Sequence, residues 1–103
     1  MKLFLDTADL NLIRFYDALG IVDGITTNPS IIAKEGADQE TRIREIAEII
    51  PGPVSCEVTT LTAEEMIEQG RKFASWGENI YLILPIVPLG LKALKVLAEE
   101  GIP

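Results

Sequence analysis

Asn79-Ile80-Tyr81-Leu82-Ile83-Leu84, followed by Pro85-Ile86-Val87-Pro88, is the most informative run in this chain. After its first residue Asn79–Leu84 is apolar throughout, which is how a strand reads when a sheet is covered on both faces. Pro88 then opens a helix, because its fixed φ suits the first helical position. A buried strand that turns quickly into a helix is one unit of a parallel β/α fold. Reading backwards, three more such units appear. Thr62-Ala63-Glu64-Glu65 has the form of a capping box and starts a helix that runs to about Ser75, behind a strand at Pro53–Val58. Before that strand lies a helix at Asp38–Ile50. Gly36 ends a shorter helix that Asn28-Pro29 opens, and a strand at Ile21–Thr27 leads into it. The first strand is Lys2–Asp6. A helix from about Asp9 to Leu19 follows it, with Thr7 placed to cap its start and Gly20 to stop it. Reading forwards, the last helix ends at Gly101, and the turn into a fifth strand is expected at Gly101-Ile102-Pro103.

Strands alternating with helices predict an α/β fold with right-handed crossovers: four βα units on one parallel sheet. A complete (β/α)8 barrel of the TIM type needs roughly 250 residues, and the chain has 103. The expectation is a single half-barrel domain over residues 1–103, interrupted between units.

Composition narrows the functions. Apolar residues make up 48% and charged residues 24%, a globular balance that argues against disorder. A net charge of −7 with scattered Lys and Arg works against nucleic-acid binding, which needs a basic face. One cysteine and no histidine leave no thiol–imidazole pair and no Cys/His metal site, so no metal and no cofactor are expected. The longest apolar stretch, Ile80 to Leu91, is broken by two prolines and a glycine and is too short to span a bilayer. An acid at position 6 comes too early for a signal peptide, so a cytoplasmic location and no membrane partner are expected.

The helices differ in a useful way. Ile43, Ile46, Ala47 and Ile50 form one narrow stripe, and so do Met66, Ile67, Gly70, Phe73 and Ala74, as in helices with one buried face. The first helix is broader: Leu10, Leu12, Ile13, Phe15, Tyr16 and Leu19 spread over roughly 220° at about 100° per residue. The last helix is similarly broad, with Leu89, Leu91, Leu94 and Leu97 among its apolar residues. These two helices flank the strands that a half-barrel leaves as sheet edges. Apolar helices beside an open edge predict self-association, as a homodimer or a higher even oligomer, with Leu12, Phe15, Tyr16, Leu19 and Leu89 at the interface. The other reading is that the terminal helices fold over their own open sheet.

Reacting groups in parallel β/α folds sit at the carboxyl ends of strands. Asp6 stands there, either as an acid/base group with its pKa raised by burial or as a helix-capping carboxylate. Thr26 and Asn28 suit substrate hydroxyls, and Asn28 equally suits a helix cap. Glu57 alternates with Cys56 and Val58 and so points into the barrel, where a carboxylate needs a partner or a proton. Cys56 reads as a small buried hydrophobe.

Phe4-Leu5-Asp6-Thr7, Gly24-Ile25-Thr26-Thr27-Asn28-Pro29-Ser30-Ile31-Ile32-Ala33 and Val54-Ser55-Cys56-Glu57-Val58 resemble the transaldolase family, especially its small fructose-6-phosphate aldolase-like branch. Gly90-Leu91-Lys92-Ala93 and Glu99-Glu100-Gly101-Ile102-Pro103 carry the same resemblance. It runs over nearly the whole chain but covers only the first half of the family's barrel. It implies carbon–carbon bond cleavage and formation on sugar phosphates through a lysine Schiff base. By resemblance, Asp6 is the acid/base group, Thr26 and Asn28 contact substrate hydroxyls, and Glu57 acts through a water. The family's lysine lies on strand four, two residues before a proline, and here that position is Ile83. Val87 stands where the family tends to place a threonine. The family's phosphate-binding residues come from its second half.

No other lysine is placed to substitute: Lys2 sits at the wrong end of its strand, Lys34 follows the Asn-Pro helix, and Lys92 and Lys95 lie on the outer helix. Leu12, Phe15, Ile83, Val87, Pro88 and Leu89 all depart towards apolar character, a direction that reads as deliberate repacking. The leading expectation is therefore a catalytically incompetent, self-associating and engineered half-barrel scaffold. A natural truncated relative is the alternative origin. A residual Schiff-base aldolase, or a module that binds a sugar phosphate without chemistry, is the alternative function.

Overall fold

In the computed structural model, which describes residues 1–103, β1 (Phe4–Asp6), β2 (Gly24–Thr26), β3 (Val54–Glu57) and β4 (Ile80–Ile83) form one sheet. Their spatial order is their chain order, and every neighbouring pair is parallel. Helix α1 (Leu10–Ala18) links β1 to β2, α2 (Pro29–Lys34) and α3 (Gln39–Ile49) link β2 to β3, and α4 (Ala63–Ala74) links β3 to β4. Helix α5 (Pro88–Glu99) follows β4. The four expected βα units are all present, and no helix is long and apolar enough to cross a membrane.

Local chemistry sets most helix ends. Asn28 Oδ1 accepts from Ile31 N at 2.9 Å, and Asp38 Oδ2 accepts from Thr41 N at 3.1 Å. The expected cap of α1 is corrected: Asp9, not Thr7, accepts from Asn11 N and Leu12 N, while the Thr7 hydroxyl accepts from Asp9 N. An aspartate one residue from the first turn reaches both orphan donors, which the more distant Thr7 cannot. The Thr62 box is also modified. Glu65 N donates to the Thr62 hydroxyl, but the Glu65 carboxylate meets that same hydroxyl rather than a backbone N–H. The stop glycines behave as expected, with Gly20, Gly36 and Gly101 all at positive φ.

The strands are shorter than the apolar runs that announce them. At the lower end of β2 an aspartate side chain replaces the ladder: Leu3 N donates to Asp23 Oδ2 at 2.6 Å, and Asp23 N donates to Leu3 O. Lys2 accordingly lies outside β1.

The core lies between the sheet and the helices. Ile25, Val54, Cys56 and Ile80 meet Ile13, Ile43, Ile46, Met66 and Phe73 there, and the chain's one tryptophan, Trp76, is buried with its ring 4.9 Å from that of Phe73. The Asn79 amide holds the end of α3 to the start of β4 by donating to Ile50 O at 2.7 Å and Gly52 O at 2.9 Å.

The other sheet face is uncovered, which corrects the reading of strand four as covered on both sides. In β4, Ile80 is buried, but Tyr81 and Ile83 are 46% and 44% exposed. Periodicity shows that a run is apolar, not whether a second layer lies over it. Phe4 is likewise exposed on β1, lying over the glycine of its register partner: a Cβ on Gly24 would stand 2.5 Å from Phe4 Cε2. The chain exposes 6200 Å², against about 5,700 Å² expected for a folded monomer of this mass. An uncovered sheet face accounts for a surplus of that sign.

Beyond β4 the last residues turn back onto the sheet. Ile102 N donates to Leu97 O at 3.1 Å, and Pro103 O accepts from Leu82 N at 3.0 Å, on the strand's outer edge.

Candidate functional site at the carboxyl ends of the strands

Alternation along each strand sends Asp6, Thr26, Glu57 and Ile83 to the uncovered face, while Leu5, Ile25, Cys56 and Leu82 turn towards the helices. Register then makes two neighbouring pairs. Asp6 lies opposite Thr26, and Glu57 lies opposite Ile83.

The first pair is bonded. Thr26 Oγ1 donates to Asp6 Oδ1 at 3.0 Å and also lies 3.4 Å from Leu5 O. Asp6 is exposed, so the burial expected of it is absent. It does not cap α1 either, since Asp9 holds that place. Its carboxylate is oriented by a hydroxyl and open to solvent, an arrangement suited to contacting a polar ligand.

Glu57 is half-buried and takes part in none of the four salt bridges of the molecule. The side chain beside it in register is the hydrocarbon of Ile83. Asn28 is committed through one lone pair of its Oδ1 to the start of α2, the cap role, which leaves its amide N–H groups and the second lone pair to meet a ligand.

Beneath this surface lies a clamp that the strand readings did not single out. Thr27 N donates to Ser55 Oγ at 2.9 Å, and Thr27 Oγ1 donates to Ser55 O at 2.6 Å, with both residues buried. It locks β2 to β3 where Thr26 and Asn28 leave the strand. Ser55 has the same strand parity as Glu57, and that was the one signal available in the sequence. Tyr81, opposite Ser55 in register, is the other residue the sequence reading passed over on this face.

At the loop after β4, Val87 occupies the N-cap of α5 in extended conformation and offers no side-chain hydrogen bond. Helix α5 is the one helix of the five without a side-chain cap. The lysines stay away from the face, with Lys2 before the start of β1, Lys34 at the end of α2, Lys72 exposed in the last turn of α4, and Lys92 and Lys95 exposed on α5. Cys56 is fully buried, and desolvation pushes its thiol up to about 12, so it is an inert core residue at neutral pH.

Residues 3–103 match the family described as Transaldolase/Fructose-6-phosphate aldolase. The chain is 57% identical over 102 residues to a probable transaldolase of Streptococcus equi subsp. zooepidemicus strain MGCS10565, covering 99% of this chain and 48% of the relative. It is 51% identical to a probable transaldolase of Streptococcus pyogenes serotype M5, strain Manfredo, with the same coverage. The chain thus spans about half the length of the relatives it matches. With a parallel sheet in sequential order, helices on one face and a match over residues 3–103, the chain belongs to the transaldolase/fructose-6-phosphate aldolase family and comprises an N-terminal half of its TIM-type barrel.

Proposed function

We propose that this chain is a catalytically silent half-barrel that works by associating with another copy of itself rather than by turning over a sugar phosphate. The observation that carries the reading is Ile83, an isoleucine beside Glu57 on the open face. Schiff-base chemistry begins when an amine adds to a ketose carbonyl. A hydrocarbon at that position cannot add, and the exposed lysines of α2, α4 and α5 stand on other elements, facing solvent. Asp6 and Thr26 keep their polar pairing but have no covalent intermediate to act on.

Support for association comes from the same surfaces that lack cover. Leu12, Phe15 and Leu19 on or beside α1, and Leu89, Leu91 and Leu94 on α5, are each about half-exposed or more. Tyr16 is half-buried, with its ring edge-on to Phe15 at 5.0 Å. Contiguous apolar surface of this kind marks sites of protein association.

Two experiments test the two halves of the proposal. Incubation with dihydroxyacetone and borohydride, followed by intact-mass measurement, should give unmodified protein, and a stable lysine adduct would overturn the catalytic part. Sedimentation velocity across micromolar concentrations should show a dimer or higher even oligomer, and a monomer throughout would overturn the other part.

The bonded Asp6–Thr26 pair beside Glu57 favours a second reading, a module that binds a sugar phosphate without chemistry. A rise in melting temperature with millimolar sugar phosphate is its signature.

A further inference from the structure

One side chain of α4 holds the loop that leads into that helix. Side chains on a helix tilt towards its N-terminus. Gln69, half-buried beside the stripe of Met66, Gly70 and Phe73, thus reaches back past the start of α4 to Thr59 and Thr60. Its Oε1 accepts from Thr59 N at 2.9 Å, from Thr60 N at 3.3 Å and from the Thr60 hydroxyl at 3.2 Å. Its Nε2 donates to the Thr59 hydroxyl at 3.0 Å. Backbone N–H groups can only donate, so the amide oxygen must face them, and the orientation of the amide is fixed. Neither N–H has a backbone acceptor, because both lie between the last rung of the sheet and the first turn of α4.

This loop begins where Glu57 leaves the sheet. Val58, between Glu57 and the clamped residues, is buried, and its N–H donates to Ile83 O at 3.0 Å as the last rung between β3 and β4. The Glu57 carboxylate has no hydrogen-bond or ion-pair partner on the chain, whereas that of Asp6 is oriented directly by the Thr26 hydroxyl. The direction of Glu57 is therefore set through its backbone, which the ladder fixes on one side and the Gln69 amide on the other.

We propose that Gln69 is the positioning residue for Glu57: by tying Thr59 and Thr60 to α4 it fixes how the Glu57 carboxylate is presented on the open face. The inference goes beyond the association reading and needs neither turnover nor a partner. An acid preset in this way meets a polar ligand without first losing rotamer freedom. Every group involved lies within β3, α4 and the loop between them.

The outer side of the clamp faces a polar cleft lined by Thr60, Glu65, Glu68 and Lys72. Water reaches it, so slow exchange of the Thr59 and Thr60 amides reports their hydrogen bonds rather than exclusion of solvent. In the wild type, NMR should show both amides protected about 10-fold or more, as one intact hydrogen bond gives, and Hα–Hβ couplings of Glu57 that report one dominant χ1 rotamer. Gln69→Met keeps the length and helix propensity of the side chain but removes the acceptor. It should abolish the protection and average the Glu57 couplings, while those of Asp6 stay unchanged. Gln69→Glu restores acceptor oxygens and should restore both signals. Thr62→Ala, which removes the α4 cap but leaves the clamp, should lower the melting temperature without moving the Glu57 couplings.

A folded Gln69→Met variant with wild-type Glu57 couplings would overturn the inference, as would a Gln69→Glu variant that behaves like Gln69→Met. So would a Thr62→Ala variant that averages Glu57 equally, because general loosening of α4 would then suffice. Should Gln69→Met fail to fold by circular dichroism, the wild type still decides: unprotected Thr59 and Thr60 amides, or averaged Glu57 couplings, would overturn the inference.

Discussion

Val87→Thr should stabilise the fold, and the size of the gain can be worked out. Val87 already has N-cap geometry, at φ −138° and ψ 161°, with Pro88 following at the first helical position. Its carbonyl accepts the first helical hydrogen bond, from Leu91 N at 2.9 Å. Only the side-chain acceptor for Leu89 N or Gly90 N is missing. Supplying one is worth about 1 kcal/mol, within a range of about 0.5–2. Valine and threonine share their β-branching, so the rotamer entropy barely changes. The exchange replaces a methyl by a hydroxyl at a residue 47% exposed, and at about 0.8 kcal/mol for a fully buried methylene roughly half of that is lost. The net gain is about 0.6 kcal/mol, which for a domain of this size raises the melting temperature by about 2–5 °C. The assay is paired thermal and urea melts followed by circular dichroism at one low protein concentration, because association makes the midpoint concentration-dependent. The urea midpoint should rise with no change in slope. Val87→Ala, which loses both methyls and gains no acceptor, should melt lower than the wild type. A threonine variant no more stable than the alanine variant would refute the capping argument.

Other outcomes follow from single contacts. Ser55→Ala leaves the buried Thr27 N–H without its partner and should cost about 1–3 kcal/mol in a urea melt. Gly90→Ala should destabilise by about 1–3 kcal/mol although alanine is the better helix former, because its Cβ would run into the backbone carbonyl of Pro85. Ile83→Lys places an amine beside Glu57, yet aldolase turnover should stay near background because this half-barrel face is open to water; a large gain in a coupled assay would contradict that. The Glu100 carboxyl is held below its ordinary value by its hydrogen bond and ion pair with Arg71. Its stabilising contribution is thus present above the unfolded-state value and lost as pH falls through the lowered folded one. NMR titration should show the depressed midpoint, and Arg71→Ala should return it to the ordinary range.

What could be read from the sequence was whatever a few adjacent residues determine. Asn28-Pro29, Thr62 and the three stop glycines mark helix ends through contacts within one turn, and they lie where the composition places them. Asp6, Thr26 and Glu57 could be assigned to one face by strand parity alone. The misreadings share a cause. Whether Ile83 is covered depends on a layer outside its own strand, and whether Thr27 meets Ser55 depends on the register of two strands 28 positions apart. The exchange of Thr7 for Asp9 is a local contest between two good caps two residues apart, which composition cannot rank. The missing cap at Val87 was visible only as a residue type, and it acquired a meaning once α5 was seen to begin there.

Because the strands stand side by side in the order in which the chain makes them, each βα unit touches mainly the one before it and the one after. Stability in such an array is approximately a sum of unit and junction terms, as in a linear repeat protein. Nothing early in the chain waits for a distant strand, so folding can follow synthesis unit by unit. Within this array β2 and β3, tied together through Thr27 and Ser55, should be among the last to open in hydrogen exchange.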